Sequence, residues 1–182
     1  AIARANARLA TAAGETEGGE VGIAKGAPGV HILVVEEGTG LLRIAAALCM
    51  GAAGTRGRVS VVCRSKTLMR MARQCASSNA ALLARAAPGV ELCFVSTGLA
   101  FLACEGEGIP QPTEADRDRL CTYIHEHDRR RDELEGKATL PSPADLLLMD
   151  TFGFELLGQR ALPVLDFARK FLLAKGAEVV PR

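Results

Sequence analysis

Along this chain, short runs of apolar, β-rich residues alternate with longer stretches whose apolar positions recur at helical spacing. Residues 30–35 read as a first strand, 58–63 as a second, 90–95 as a third, 145–149 as a fourth and 177–180 as the start of a fifth. Between them, the Ala-rich residues 41–51 read as a helix, and 66–86 carry Leu68, Met71, Ala72, Cys75 and Leu82 before Pro88-Gly89 stops the pattern. A further helix over 160–174 closes at Gly176. Strands alternating with helices in this way predict an α/β domain: a mostly parallel, twisted sheet with helices on both faces, joined by right-handed crossovers.

Two segments stand outside the repeat. Residues 1–13 are Ala-rich, with Ile2 and Leu9 at the spacing of one helix face, and a Gly/Glu-rich stretch separates them from the first strand, so residues 1–29 are expected to form an accessory helix and linker. Residues 105–143 are far longer than a strand connection needs. Inside them Thr113 with Asp116 resembles a capping box, and 117–134 is highly charged with Leu120, Ile124 and Leu134 as a thin apolar stripe. This predicts an inserted surface helix, whose charge reads first as a solvated face and second as a binding element.

Composition bounds the function. With 182 residues, 48% of them apolar, the chain can bury one continuous core, so one domain spans 30–182. A net charge of +1 and 4% aromatics give neither a global electrostatic case for nucleic acid nor a base-stacking platform. No apolar run approaches the roughly 20 residues that cross a bilayer, and Ala1-Ile2-Ala3-Arg4 does not open a signal segment, which predicts an intracellular protein, cytoplasmic or nuclear, without a membrane partner. Six scattered cysteines lack a C-x-x-C pair, and most of them read as small core hydrophobes. Cys121 with His125 and His127 could be imagined as a metal site, but no further ligand cluster is in view and an exposed charged helix is the simpler reading. The start without Met and the stop just after a strand lead us to expect a piece of a longer protein.

Candidate chemistry gathers at the strand ends. The first strand-to-helix turn, Glu36-Glu37-Gly38-Thr39-Gly40, carries glycines that let backbone approach a ligand above the carboxyl edge of a sheet, although a tight turn with no ligand would use the same pair. Ser65-Lys66-Thr67-Leu68 follows the second strand, where this fold holds a ribose. After the fourth strand comes Asp150-Thr151-Phe152-Gly153-Phe154-Glu155-Leu156-Leu157-Gly158-Gln159-Arg160-Ala161-Leu162-Pro163. That stretch resembles the double-glutamate loop of protein arginine N-methyltransferases, especially the branch with tandem modules, and 177–181 resembles that family's passage into its substrate-binding β-barrel. The resemblance runs from residue 30 to 182 except for the insertion. It implies a Rossmann-like class I methyltransferase domain, S-adenosylmethionine as cofactor, an arginine-containing protein substrate, and a β-barrel beyond this chain.

Carried over position by position, the resemblance also shows departures. Gly38 and Gly40 match, but the family has an acidic residue at Val34 and a glycine at Glu36. A Glu36 side chain would occupy ligand space and bring negative charge near the cofactor's carboxylate. The acidic residue that should accept both ribose hydroxyls corresponds to Cys63, a poor acceptor, and its loss costs about 1.5–3 kcal/mol per charged hydrogen bond. The paired glutamates grip the planar, always charged guanidinium and aim one nitrogen at the methyl group. Here those positions hold Asp150, one methylene shorter, and the neutral Gln159; Glu155, inside the loop, is a candidate substitute, although its place matches an interior residue of the family. The expected function is an arginine methyltransferase-like domain with weak or no transfer of its own, acting as a non-catalytic module or regulatory partner of a catalytic homologue, or as a homodimer. The alternative is an active methyltransferase that tolerates these changes; the third reading is a Rossmann-like domain of unrelated function.

Overall fold

The computed structural model describes residues 29–36, 41–63, 66–95, 97–123, 137–150 and 161–181. Seven strands and five α-helices fall within them, in an α/β arrangement. The main sheet is built from β1 (Val30–Glu36), β2 (Gly57–Cys63), β3 (Val90–Val95), β6 (Ala144–Asp150) and β7 (Leu173–Pro181), in the order β3-β2-β1-β6-β7 with every pairing parallel. These strands are Val- and Leu-rich on both faces because both faces are covered. Val30, Ile32 and Val34 alternate with Leu33 and Val35, and each set joins a different core cluster.

On one side of the sheet lie α1 (Leu41–Ala52), α2 (Lys66–Ser78) and α3 (Ala80–Ala86), whose Ala46, Ala47, Met50, Met69 and Ala72 pack with Val34, Val61, Cys63 and Leu148. Gly51 permits α1 and α3 to touch, since a Cβ there would stand 2.0 Å from the Ala86 carbonyl oxygen. Residues 66–86, expected as one helix, are two. The break falls at Asn79, whose side-chain amide donates to the Cys75 carbonyl at 2.8 Å; after Ser77 and Ser78 this local bond competes with continued helix.

On the other side, a 3-10 turn (Leu99–Phe101), β4 (Leu102–Cys104), α4 (Glu114–Tyr123), β5 (Ala138–Leu140) and α5 (Ala161–Phe171) cover Leu33, Val35, Val62, Leu147 and Met149. β4 and β5 form a separate two-stranded parallel sheet that the hydrophobic pattern did not announce. The capping box is formed: the Thr113 hydroxyl donates to the Asp116 carboxylate at 2.6 Å, and the Asp116 amide donates back to that hydroxyl at 3.2 Å. The Lys170 ammonium of α5 adds a 2.8 Å bond to the other carboxylate oxygen. Together the bond from Lys170, then those from Thr113, hold Asp116 down to a pKa of about 2. The helix is also anchored from beneath, because Leu120 is fully buried in the core, so it is more than a surface appendage. Ile124 and Leu134 of the expected stripe, the accessory helix over 1–13, and His125 and His127 lie outside the described residues.

The helix expected over 160–174 ends at Phe171, because Leu172 accepts from the Ala144 amide and Leu173 already pairs with Ala144. Strand β7 therefore begins earlier than residue 177. A register shift follows, with Glu178 opposite Leu146, and Gly176 takes the left-handed conformation (φ 78°) that the bulge requires. No helix among the described residues is long and apolar enough to cross a membrane.

Candidate site at the carboxyl edge of the sheet

β1 connects to β2 on one side and lies beside β6 on the other, so the strand order reverses between β1 and β6. Open α/β sheets bind ligands in the crevice outside the strands' carboxyl ends at such a reversal. Three of the seven candidate residues end these strands. Glu36 is the last residue of β1, Cys63 of β2 and Asp150 of β6, and the ladder sets Glu36 opposite Cys63 on one side and opposite Asp150 on the other. With neighbouring strands about 4.8 Å apart, the three backbones form one row with Glu36 in the middle. Gly38, Gly40, Glu155 and Gln159 lie outside the described residues.

Cys63 is 2% exposed and belongs to the cluster that holds Val61, Met69 and Ala72. A cofactor ribose needs a charged, accessible acceptor at this place, and a thiol sealed into an apolar cluster does not fit that need. Val34 tells the same story one step lower: it is fully buried, in register with Val61 and Leu148. The position completes the core and offers no acceptor.

Pattern reading did not anticipate the arginines around Phe94. Arg43 is 1% exposed, and its guanidinium carbon lies 5.7 Å from the Phe94 ring centroid; that of Arg73, from α2, lies 5.9 Å from the same ring. A fully buried arginine in the first turn of an Ala-rich helix has no periodicity signal, because charge at such a position reads as surface.

The other polar cluster in the core is sealed and holds strands together. His31 is 3% exposed, and its Nδ1 lies 2.9 Å from the Ser142 carbonyl, its Nε2 2.8 Å from the Ser60 hydroxyl, and its amide donates to Asp145 at 2.9 Å. A carbonyl only accepts, so Nδ1 carries the proton; burial favours the neutral ring, in which Nε2 accepts from the Ser60 hydroxyl. Burial pushes the His31 pKa below 6.5, and Arg58 nearby acts in the same sense. With Ser60 1% exposed, no substrate reaches this Ser-His pair, and its role is to tie β1 to β2 and to the turn before β6. None of the six cysteines forms a disulfide, and among the described residues no group of three or more His, Cys, Asp or Glu could hold a metal ion.

No family model matches the chain. Two proteins described as Protein arginine N-methyltransferase 7, from Oryza sativa subsp. japonica and Oryza sativa subsp. indica, are each 43% identical to it over 53 residues. That stretch is 29% of this chain and 7% of each relative. The chain is thus partly similar to an arginine methyltransferase and spans only a small part of the relatives it matches.

Proposed function

We propose that this chain is a protein arginine methyltransferase-like domain with little or no methyl transfer of its own, serving as a non-catalytic module beside a catalytic homologue or within a homodimer. The observation that carries the reading is the row Asp150–Glu36–Cys63 at the strand-order reversal, with its ribose-side position filled by a buried thiol. The partial likeness to Protein arginine N-methyltransferase 7 supports the family, and an α/β sheet of this order supports the fold. When bound, S-adenosylmethionine would supply the electrophilic methyl group. Cys63 and Val34 do not fit it, and by sequence correspondence Asp150 and Gln159 replace the two glutamates that would grip a guanidinium.

Calorimetric titration with S-adenosylmethionine, and transfer of radiolabel to an arginine-rich peptide, test this directly. Weak binding and no transfer are expected. Gln159→Glu alone leaves transfer undetectable, because the ribose-side loss remains and costs about tenfold or more in affinity. Tight cofactor binding by the natural chain, or robust transfer after that single change, would establish the active-enzyme reading instead. Co-expression with catalytic homologues tests the partner half: a complex that survives gel filtration and a faster partner are expected, and a lone monomer with unchanged partner rates refutes it.

A further inference from the structure

Residues 41–90 hold eight Lys and Arg and not one Asp or Glu, although acidic residues make up 21 of the 182 in the chain. The fold turns this bias into a surface. Lys66, Arg70 and Arg73 recur at i, i+4 and i+7 on α2, so they share one helical face over about 10 Å, and all three are exposed. Arg85 is exposed on α3, which packs beside α2. None of these four forms a salt bridge with a described residue. The first turn of α2 contains no acid, so its helix dipole adds positive potential to that of Lys66.

An ordinary solvated helix in the same molecule looks different. On α4, Glu114, Asp116 and Asp118 interleave with Arg117 and Arg119, and Asp116 is paired to Lys170. The α2–α3 face leaves like charges beside one another, which lowers stability unless an external anion offsets it. The same two helices also expose Met71 (45%) and Leu82 (37%), while the exposed large hydrophobics among the described residues include no aromatic. Single-stranded nucleic acid is held by aromatic stacking as well as by cations, so this mixture of arginine forks and aliphatic side chains suits carboxylates carried on an apolar segment.

We propose that the exposed α2–α3 face, through Lys66, Arg70, Arg73 and Arg85 with Met71 and Leu82, docks an acidic, amphipathic segment of a partner protein. The face does not include the strand-end row, and the proposal does not rest on the methyltransferase reading. Fluorescence anisotropy of the full chain tests it with a short labelled peptide carrying Glu at every fourth position and Leu on the adjoining face. Saturable binding is expected, weakening steeply with salt. Reversing two contacts in Arg70→Glu/Arg73→Glu should weaken it about tenfold without lowering the melting temperature, and Met71→Ser should weaken it several-fold. Should the double reversal fail to fold, Arg70→Gln/Arg73→Gln gives the same reading with a smaller loss. Equal affinity for the peptide with Gln in place of Glu, tighter binding of an oligouridine of equal length, or unchanged affinity in the charge variants overturns the proposal.

Discussion

The two helical layers flanking the sheet use charge in opposite ways. Over α1, α2 and α3 the sequence carries no acid, one arginine is buried against Phe94 and the rest stand out along exposed helix. Over α4 and α5 both signs are interleaved, and a capping box and a cross-helix ion pair converge on Asp116. Both layers rest on an apolar core of the same kind, so the difference lies at the surface, where stability demands little. One surface neutralises itself within the fold; the other leaves charges of one sign in solvent.

Five measurements test this contrast, beginning with the largest effect. If α4 is part of the core, Leu120→Ala should lower unfolding free energy by about 2–5 kcal/mol, whereas Leu82→Ala on α3 should stay within about 0.5 kcal/mol; urea denaturation of both variants compares the layers directly. Equal small losses would reduce α4 to decoration.

The sheet itself is probed next. Ser60→Ala leaves His31 Nε2 without its donor and should cost about 1–3 kcal/mol. The native protein should also respond to pH through His31. Its folded pKa lies below 6.5, so the unfolded chain binds the proton first; stability is complete above about pH 6.5 and falls as pH drops below it. Melting curves of natural protein and a His31→Phe variant separate this contribution, and an identical pH slope in both would show that His31 does not supply it.

Smaller effects follow at the helix ends. Thr113→Ala removes the α4 cap and should cost about 1 kcal/mol, and it should weaken the acid resistance of Asp116. With the Asp116 pKa near 2 in the fold against an ordinary 3.8, that part of stability is present above about 3.8 and is lost as pH falls toward 2. Thr67→Glu should do the reverse on the other layer, raising stability by about 0.3–1 kcal/mol by giving α2 the first-turn acid it lacks. A thermal shift assay that shows no gain would mean the positive potential there is already neutralised.

Much of the fold was legible in the chain. Val30 to Val35 and the Leu-rich run before Asp150 read as buried parallel strands because both of their faces are apolar, and Thr113 with Asp116 read as a cap because the spacing itself is the bond. The split at Asn79 was not legible, since periodicity continues across it while one side-chain bond decides the break. At the candidate site, the sequence pointed to the ends of β1, β2 and β6, and the register brought Glu36, Cys63 and Asp150 into one row.

By itself, then, the sequence determined the alternation of strands and helices, the buried character of the strands, and which residue types stand at their ends, because these follow from local periodicity and composition. Tertiary structure alone decided that Cys63 is sealed rather than presented, that Arg43 is buried over Phe94, and that β7 starts at Leu173 with a bulge at Gly176. It also decided that Lys66, Arg70 and Arg73 stand exposed on one side of the molecule while the neutralised helix α4 packs with the opposite core. Each of these depends on which element covers which face, a relation between segments far apart in the chain that no local pattern encodes.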